Sequence, residues 1–316
     1  MVAFLLLGCT QNDKVSMDTA LTEENLAVTG NTDFPEIQED FNEEYETSVS
    51  ANIQDMGNIT AYAGFFVAMG PLMELQIMVA SEGQENITCP TIEGDFPVDG
   101  SPQEEITIVG NGCTNDDGKT YNGSLVYSPE GVTYTSYIVT TPSDNENCPD
   151  LSTTSNTNGG MRIKEAEDMP FLVKFQNEEI SEDCSVQSSI AFLNGTVNID
   201  ETSSENTVIN GELTCLISTE DSTMWFTVVT EEEVLNSNVC ETEPISGTNT
   251  MTTSEDSLVY TFDGGTDCDE EPTQMLSING GEFVEVEGSE CSVVSMRTSL
   301  LGVLFGFALT ILRRRE

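Results

Sequence analysis

Residues 132–140 read VTYTSYIVT, a run of β-branched and aromatic residues with no charge. Such residues favour a pleated strand. Period-two alternation divides them between two sides, with Val132, Tyr134, Ser136 and Ile138 on one and Thr133, Thr135 and Tyr137 on the other. Alternation of this kind predicts an antiparallel strand with one face in water.

Similar runs recur between residues 88 and 288, at 124–127, 171–175, 189–199, 207–217, 223–230 and 257–262. Asn-Gly dipeptides accompany them, among them those beginning at positions 111, 122, 194, 210 and 279. Both residues tolerate a positive φ, as a type I′ hairpin turn requires. The clearest hairpin joins 275–278 to 282–286 through Asn279-Gly280. The dipeptides at 194 and 210 have apolar residues on both sides, so bulges within strands are an equal alternative there.

The most apolar internal stretch is 61–80, which Pro71 and Glu74 interrupt. This interruption favours a buried helix or helix pair lying across a sheet over a membrane span. The predicted fold is therefore mainly β: an antiparallel meander, a sandwich or a curved sheet. One N-terminal helix packs on the sheet, and an apolar helix ends the chain.

Residues 2–8 form an apolar stretch in which Leu6 and Gly8 precede Cys9. This arrangement resembles the lipobox of bacterial lipoproteins. The resemblance implies cleavage before Cys9 and attachment of lipid to its thiol, and two or three acyl chains hold a protein stably at a membrane. The residue after Cys9 is Thr10, whereas an Asp at this position would resemble a signal for retention in the inner membrane. The resemblance therefore favours the outer membrane or cell surface. The alternative is a remnant of another export signal with an incidental cysteine.

The C-terminus combines Cys291, an uncharged apolar run over 298–312, and an arginine cluster, Arg313, Arg314 and Arg315. This layout resembles the C-terminal sorting tails of myxobacterial surface proteins, which implies transport to the cell surface. The alternative is a single-pass anchor with the arginines on the cytoplasmic side. Residues 112–118 and 262–269 also look like segments of uncharacterised myxobacterial surface proteins, a similarity that implies a location but no activity.

These signals divide the chain into a signal peptide (1–8), an acidic tether (9–55), a disulfide-stapled β domain with its leading helix (56–289) and a C-terminal tail (290–316). A Ser/Thr/Asn/Gly-rich stretch over 151–160 separates two approximate halves, 88–150 and 165–288. The sequence leaves open whether these are two domains or one continuous sheet.

The chain has 56 acidic and 9 basic residues and a formal net charge of −47. It would repel nucleic acid, which excludes that class of partner. The acid excess is explained by solubility in saline surroundings or by collective binding of Ca²⁺. The candidate oxygen ligands are Asp116, Asp117, Asp263, Asp267 and Asp269. Neither loop that carries them has the spacing of a twelve-residue calcium loop, and turn formation explains both Asp-Gly pairs more simply.

Seven cysteines lie between Cys9 and Cys291, and with an export signal they predict disulfides. Zinc is disfavoured because the sequence has neither histidine nor a Cys-x-x-Cys motif. Sequence alone cannot fix connectivity. The simplest sequential pairing joins Cys89 to Cys113, Cys184 to Cys215 and Cys240 to Cys268, leaving Cys148 unpaired.

The absence of histidine excludes nucleophilic machinery of the Ser/His/Asp and Cys/His kinds. We therefore expect a protein that is not an enzyme and needs no cofactor: a lipid-anchored envelope protein with a structural or adhesive role. Its partner is the membrane, reached through the lipid, the C-terminal helix or both. One alternative is a carbohydrate-binding or carbohydrate-acting module that uses Trp225, although Trp225 and Phe226 more often belong to a core. Another is a periplasmic lipid or lipoprotein carrier with a large apolar cavity inside a curved sheet.

Overall fold

The computed structural model describes residues 34–51, 59–97, 102–143, 145, 147–163, 168–181, 183–200, 206–219, 222–236, 238–239, 244–263 and 273–286. The predicted signal peptide and the C-terminal tail with its apolar helix lie outside these residues. The described chain is mainly β, and this fold class is confirmed.

Within the described residues, three α-helices precede most of the strands: α1 (Phe34–Thr47), α2 (Ala61–Ala68) and α3 (Gly70–Glu82). A 3₁₀ turn follows at Gln84–Asn86. The strands are β1 (Val49–Ser50), β2 (Thr91–Glu93), β3 (Ile106–Val109), β4 (Cys113–Thr114), β5 (Thr120–Ser128), β6 (Gly131–Pro142), β7 (Ser152–Arg162), β8 (Met169–Ile180), β9 (Val186–Asp200), β10 (Thr207–Thr219), β11 (Thr223–Leu235), β12 (Ser246–Thr252), β13 (Ser257–Asp263), β14 (Thr273–Ser277) and β15 (Val284–Val286).

All of these strands belong to a single sheet, in the order β15-β14-β13-β12-β11-β10-β9-β8-β7-β6-β5-β3-β2. Neighbours along this path are antiparallel, β4 pairs with β5, and the short β1 runs parallel to β11. The connectivity is therefore a meander. Of the predicted alternatives, the two-sheet sandwich does not describe it.

The Ser/Thr/Asn/Gly-rich stretch over 151–160 does not interrupt the sheet. Ser152–Arg162 is strand β7, which is hydrogen-bonded to β6 on one side and to β8 on the other. Serine, threonine, asparagine and glycine are typical of loops, but here they fill a central strand. The sheet therefore runs without interruption from the first approximate half into the second.

The sheet curls around α2 and α3. One hydrophobic cluster contains buried side chains from β3 to β13 together with both helices. A flat sheet of the thirteen consecutively paired strands would be about 60 Å wide at about 4.8 Å per strand, whereas the eight residues of α2 span only about 12 Å. Curling is therefore needed to bring distant strands to the same helices, and we call this helix-covered side the inner face.

Helix α2 lies very close to the sheet because small residues line the contact. A Cβ built on Gly64 would lie 2.5 Å from a methyl carbon of Leu213, and one built on Gly211 would lie 3.0 Å from the Cβ of Ala61. Ala61 and Ala68 are fully buried on the same helix. The predicted buried helix pair over 61–80 is thus present as α2 and α3, with Pro71 in the first turn of α3.

The alternation predicted for residues 132–140 holds only as far as a β-bulge. Ser136 has a φ of 42°, and the pairing of β6 with β7 shifts between Tyr134 and Tyr137. The extra residue brings Tyr137 to the inner face beside Tyr134, where both rings are buried. The prediction that these two tyrosines lie on opposite sides is therefore wrong.

The Asn-Gly dipeptides have three different roles. Asn111-Gly112 and Asn279-Gly280 have positive φ at both residues, as in type I′ turns, and the latter joins β14 to β15 as predicted. The pairs at 122 and 210 lie in β5 and β10 opposite bulges of the neighbouring strands β6 and β11. Asn194-Gly195 continues β9 in regular pairing with both neighbouring strands.

Helix α1 covers the opposite, outer face of the sheet. Ile37 and Phe41 are buried against Leu172, Phe192 and Leu216. The prediction of an acidic tether is wrong for residues 34–51, because residues 37, 41 and 45 recur every four positions and form one apolar stripe on a helix otherwise rich in glutamate.

Two disulfides are present in the described part of the chain. Cys89 is bonded to Cys113, the first pair of the sequential scheme, and Cys148 is bonded to Cys184. The predicted Cys184–Cys215 pair is therefore wrong. Cys215 lies on the inner face in the middle of β10, where it is a free, buried thiol.

Candidate functional site

The most unusual chemical group of the inner face is a buried carboxyl, Glu233 of β11. Its exposed fraction is 2%, and the only hydrogen bond described for it comes from Asn249 Nδ2 to Oε2 at 2.9 Å. Burial raises the pKa of Glu233, and the Asn249 hydrogen bond opposes that shift in part. This carboxyl therefore holds its proton more strongly than an exposed glutamate does.

A second β-bulge turns Glu233 inward. Glu232 has a φ of 49°, its N–H donates to Asn210 Oδ1 at 2.9 Å, and pairing with β12 shifts between Glu231 and Val234. Gly247 lies opposite, where a Cβ would be only 2.5 Å from Glu233 Cα. Without the extra residue, alternation from Phe226, Val228 and Thr230 would direct residue 232 inward and residue 233 outward.

The β-bulge at Ser136 in β6 is built in the same way as the one at Glu232 in β11. In both bulges a residue with positive φ has its N–H capped by an asparagine Oδ1 on the neighbouring strand, 22 positions away in sequence. In the first bulge Ser136 N donates to Asn158 Oδ1 at 2.7 Å. Asn158 and Asn210 each precede a glycine.

Glu233 is part of a polar cluster at the start of α2. Asn249 is fully buried and is paired across the strands with Thr230. The Thr230 Oγ1 accepts a hydrogen bond from Ala61 N at 2.9 Å, while the N-cap residue Thr60 accepts one from Ala63 N. We call Glu233, Asn249 and Thr230 the inner polar cluster.

One atom of the inner polar cluster has no described partner: Asn249 Oδ1 is buried without a hydrogen bond. Buried polar atoms are nearly always paired, so this acceptor calls for a donor. The cluster was not found from the sequence. Its only sequence signal is the run Glu231-Glu232-Glu233 inside an otherwise uncharged strand, which does not reveal the bulge that buries one of the three.

The predicted cation ligands fall into two groups. Asp116 and Asp117 are exposed in the hairpin loop between β4 and β5, where Asn115 Oδ1 accepts from Lys119 N at 2.9 Å and Gly118 has a φ of 80°. Asp263 ends β13, and Asp267 and Asp269 lie outside the described residues. Among the residues described, no group of three or more His, Cys, Asp or Glu side chains is arranged to hold a metal ion.

The remaining predicted site residues lie partly outside the described residues and partly in the sheet. The structural description does not include Cys9, Cys240, Cys268, Cys291, Arg313, Arg314 or Arg315. Trp225 is half-buried on the outer face, with its ring edge-to-face with Tyr45 of α1 at 5.3 Å. Phe226 is buried on the inner face. The pair therefore packs against both sides of the sheet, as expected for core residues.

In the described part of the chain, no single helix has the length and apolar character needed to cross a membrane. The pair α2 and α3, bent by 59°, meets those criteria only when taken together. Many of its side chains are buried in the cluster on the inner face. Comparison with family models, with curated proteins and with solved structures found no match to this chain.

Proposed function

We propose that the protein is a non-catalytic, lipid-anchored component of a bacterial cell envelope, located at the outer membrane or cell surface, with a structural or adhesive role. Lipid on Cys9, a C-terminal helix or both attach it to the membrane. The curled sheet is a filled scaffold that displays an acidic surface, and divalent cations bind that surface collectively.

The observation that carries the proposed acidic scaffold is that the basic side chains are already paired with acidic ones. Each base in the described residues is paired with an acid: Lys119 with Glu74, Arg162 with Glu130 at 3.9 Å, and Lys174 with Asp40. The few cations are thus engaged locally and offset little of the remaining negative charge. Such a surface favours solubility and binding of counter-ions.

Two of these ion pairs also attach helices to the sheet. Lys119, just before β5, contacts Glu74 of α3, and Lys174 of β8 contacts Asp40 of α1. The Lys174 ammonium also lies 5.3 Å from the centre of the Phe192 ring, a cation–π contact. These two lysines therefore hold helices against the sheet, which supports a scaffold role.

The lipid-carrier alternative is favoured by the apolar character of the inner face, but that face is occupied. Phe65 of α2 contacts the Phe171 ring at 5.6 Å between centres, and Tyr134 donates to Ala68 O at 3.0 Å. A carrier would have to displace α2 and α3 to admit a lipid. The carbohydrate alternative has less support, because Tyr45 covers part of Trp225.

Membrane attachment can be tested by fractionating cells that express Cys9→Ala, Cys291→Ala or the unchanged chain. We expect Cys9→Ala to lose acylation and shift toward the soluble fraction, while Cys291→Ala keeps its acyl chains. Unchanged fractionation and mass of the Cys9→Ala protein relative to the unchanged chain would refute lipid anchoring through this residue.

The nature of the surface can be tested with the purified protein. We expect CaCl₂ to raise the melting temperature more than NaCl of equal ionic strength does, with no binding on a glycan array. Glycan binding that Trp225→Ala abolishes would support the carbohydrate module instead. Lipid found in native mass spectra after extraction would support the carrier.

A further inference from the structure

We propose that Glu233 and Asn249 form a closed acid–amide pair, in which protonated Glu233 donates its O–H to Asn249 Oδ1 while Asn249 Nδ2 donates to Glu233. The pair makes the seating of α2 on strands β10 to β12 dependent on pH.

No basic side chain compensates the charge of Glu233 on the elements that surround it. Neither α2 nor any of strands β10 to β13 contains Lys or Arg, so the elements around Glu233 supply no ionic partner. A carboxylate buried to 2% exposure without a cation is strongly disfavoured, whereas a neutral carboxyl group is tolerated.

Asn249 Oδ1 is a buried acceptor that needs a donor. Asn249 is fully buried, and its Nδ2 donates to Glu233 Oε2 while its Oδ1 lacks a described partner. A carboxylate can only accept hydrogen bonds, but a protonated carboxyl also offers one donor. One proton on Glu233 therefore provides the donor that the buried Oδ1 lacks.

The groups that face the pair do not supply a competing charge. Ile209 is the cross-strand neighbour of Glu233 on β10, and Tyr260 is the neighbour of Asn249 on β13. Tyr62 of α2 packs against the same core, and Glu231 and Glu232 are exposed. The Asn249 hydrogen bond favours ionised Glu233, and burial outweighs it in the direction of the pKa shift.

The pair is linked to α2 through Thr230, which is the cross-strand neighbour of Asn249 and accepts from Ala61 N. Loss of the proton would place a carboxylate against the Asn249 carbonyl oxygen in a site that excludes water. Asn249 and Thr230 would then have to move, or water would have to enter. Either change loosens the first turn of α2.

The sign of the pH dependence follows from the raised pKa. The stabilisation from protonated Glu233 is fully present below the unfolded pKa, about 4.3, and is lost as pH rises through the higher folded pKa. Between these two values, one proton is bound by the folded state and not by the unfolded state. The folding constant of the wild type relative to a non-titrating variant therefore falls up to about tenfold per pH unit.

The decisive experiment is infrared spectroscopy of the folded full-length protein at pH 6, with Glu233→Gln and the exposed Glu231→Gln as matched variants. We expect a protonated carboxyl C=O band in the wild type and in Glu231→Gln, and no such band in Glu233→Gln. A wild-type spectrum that contains only carboxylate bands would overturn the proposal, and this result does not depend on whether either variant folds.

A second measurement is the urea midpoint of the three proteins from pH 4.5 to pH 8. Glu233→Gln keeps a hydrogen-bonded amide but cannot lose a proton, so we expect it to gain stability relative to the wild type as pH rises. The difference between Glu231→Gln and the wild type should not show this rise. Parallel pH profiles for Glu233→Gln and the wild type would also overturn the proposal.

Discussion

Gly123 illustrates how a single residue permits the bend of the sheet. It lies in β5 opposite the bulge of β6 with a φ of 72°, and a Cβ added to it would lie 1.8 Å from Ser136 O. The carbonyl belongs to the backbone of the opposite bulge, so neither strand can yield easily. The bulge of β6 thus fits against β5 only when residue 123 has no side chain.

We predict that Gly123→Ala destabilises the protein by at least about 1–3 kcal/mol for the backbone conformation alone, with the clash adding to this cost. Gly70→Ala is the matched control. A Cβ at Gly70 would meet nothing within 4 Å, and Gly70 is the first residue of α3. This control variant should be neutral or stabilising by up to about 1 kcal/mol. Equal urea midpoints for the two variants would contradict the bulge geometry.

Cys215 shows how burial controls a thiol. It is 1% exposed, and burial raises its pKa to about 12. Because the thiolate is the reactive form, we predict that iodoacetamide at pH 8 leaves Cys215 unmodified in the folded protein and alkylates it in urea. Peptide mapping after alkylation measures this directly, and rapid labelling of Cys215 in the native state would contradict the assigned burial.

At the scale of elements, the disulfides close loops of 24 and 36 residues. Loop-closure entropy predicts that each contributes about 3–4 kcal/mol. We expect the double variant Cys148→Ser with Cys184→Ser to lose stability of this order, and Cys215→Ala to lose clearly less. Non-reducing peptide maps should contain the 148–184 pair. A 184–215 crosslinked peptide would show that the assigned pairing is incorrect.

Helix α1 is attached to the outer face by an apolar stripe, and the single tryptophan of the chain reports on it. Phe41 is buried, stacks on Tyr45 at 5.8 Å and meets Phe192 at 6.0 Å. We predict that Phe41→Ala loosens α1 at a cost of up to about 3–5 kcal/mol and makes Trp225 fluorescence more sensitive to acrylamide. The exposed Glu39→Ala should leave quenching unchanged. Equal quenching in both variants would argue against the docked helix.

Sequence patterns predicted the strands that are rich in β-branched and aromatic residues, among them β9, β10 and β13. They did not predict β7 and β12, because these strands consist largely of serine, threonine, asparagine and glycine. Their strand conformation comes from hydrogen bonds to neighbours on both sides, a tertiary effect that local composition does not contain.

The sequence pattern did not predict the candidate site either, because the site depends on a β-bulge. A bulge reverses the inward and outward order of every residue after it, so Tyr137 and Glu233 lie on the face opposite to the one that strict alternation predicts. Helix α1 was obscured by its glutamates, although residues 37, 41 and 45 have helical spacing. Disulfide connectivity was likewise open in the sequence, because it depends on which strands become neighbours.

For the whole molecule, negative charge opposes compactness. With a formal net charge of −47 and each described base already paired, carboxylates repel one another across the surface. Raising NaCl from 50 to 500 mM shortens the screening length from about 14 to about 4 Å. We therefore predict a higher melting temperature at 500 mM NaCl. A melting temperature that falls or stays constant would contradict dominant self-repulsion.

The most direct test of the central claim is the intact mass of the native protein purified from the membrane fraction of its own cells. We predict a chain that begins at Cys9, carries the added mass of two or three acyl chains, and has oxidised Cys89, Cys113, Cys148 and Cys184. A soluble, unacylated chain with all of its thiols reduced would contradict the claim.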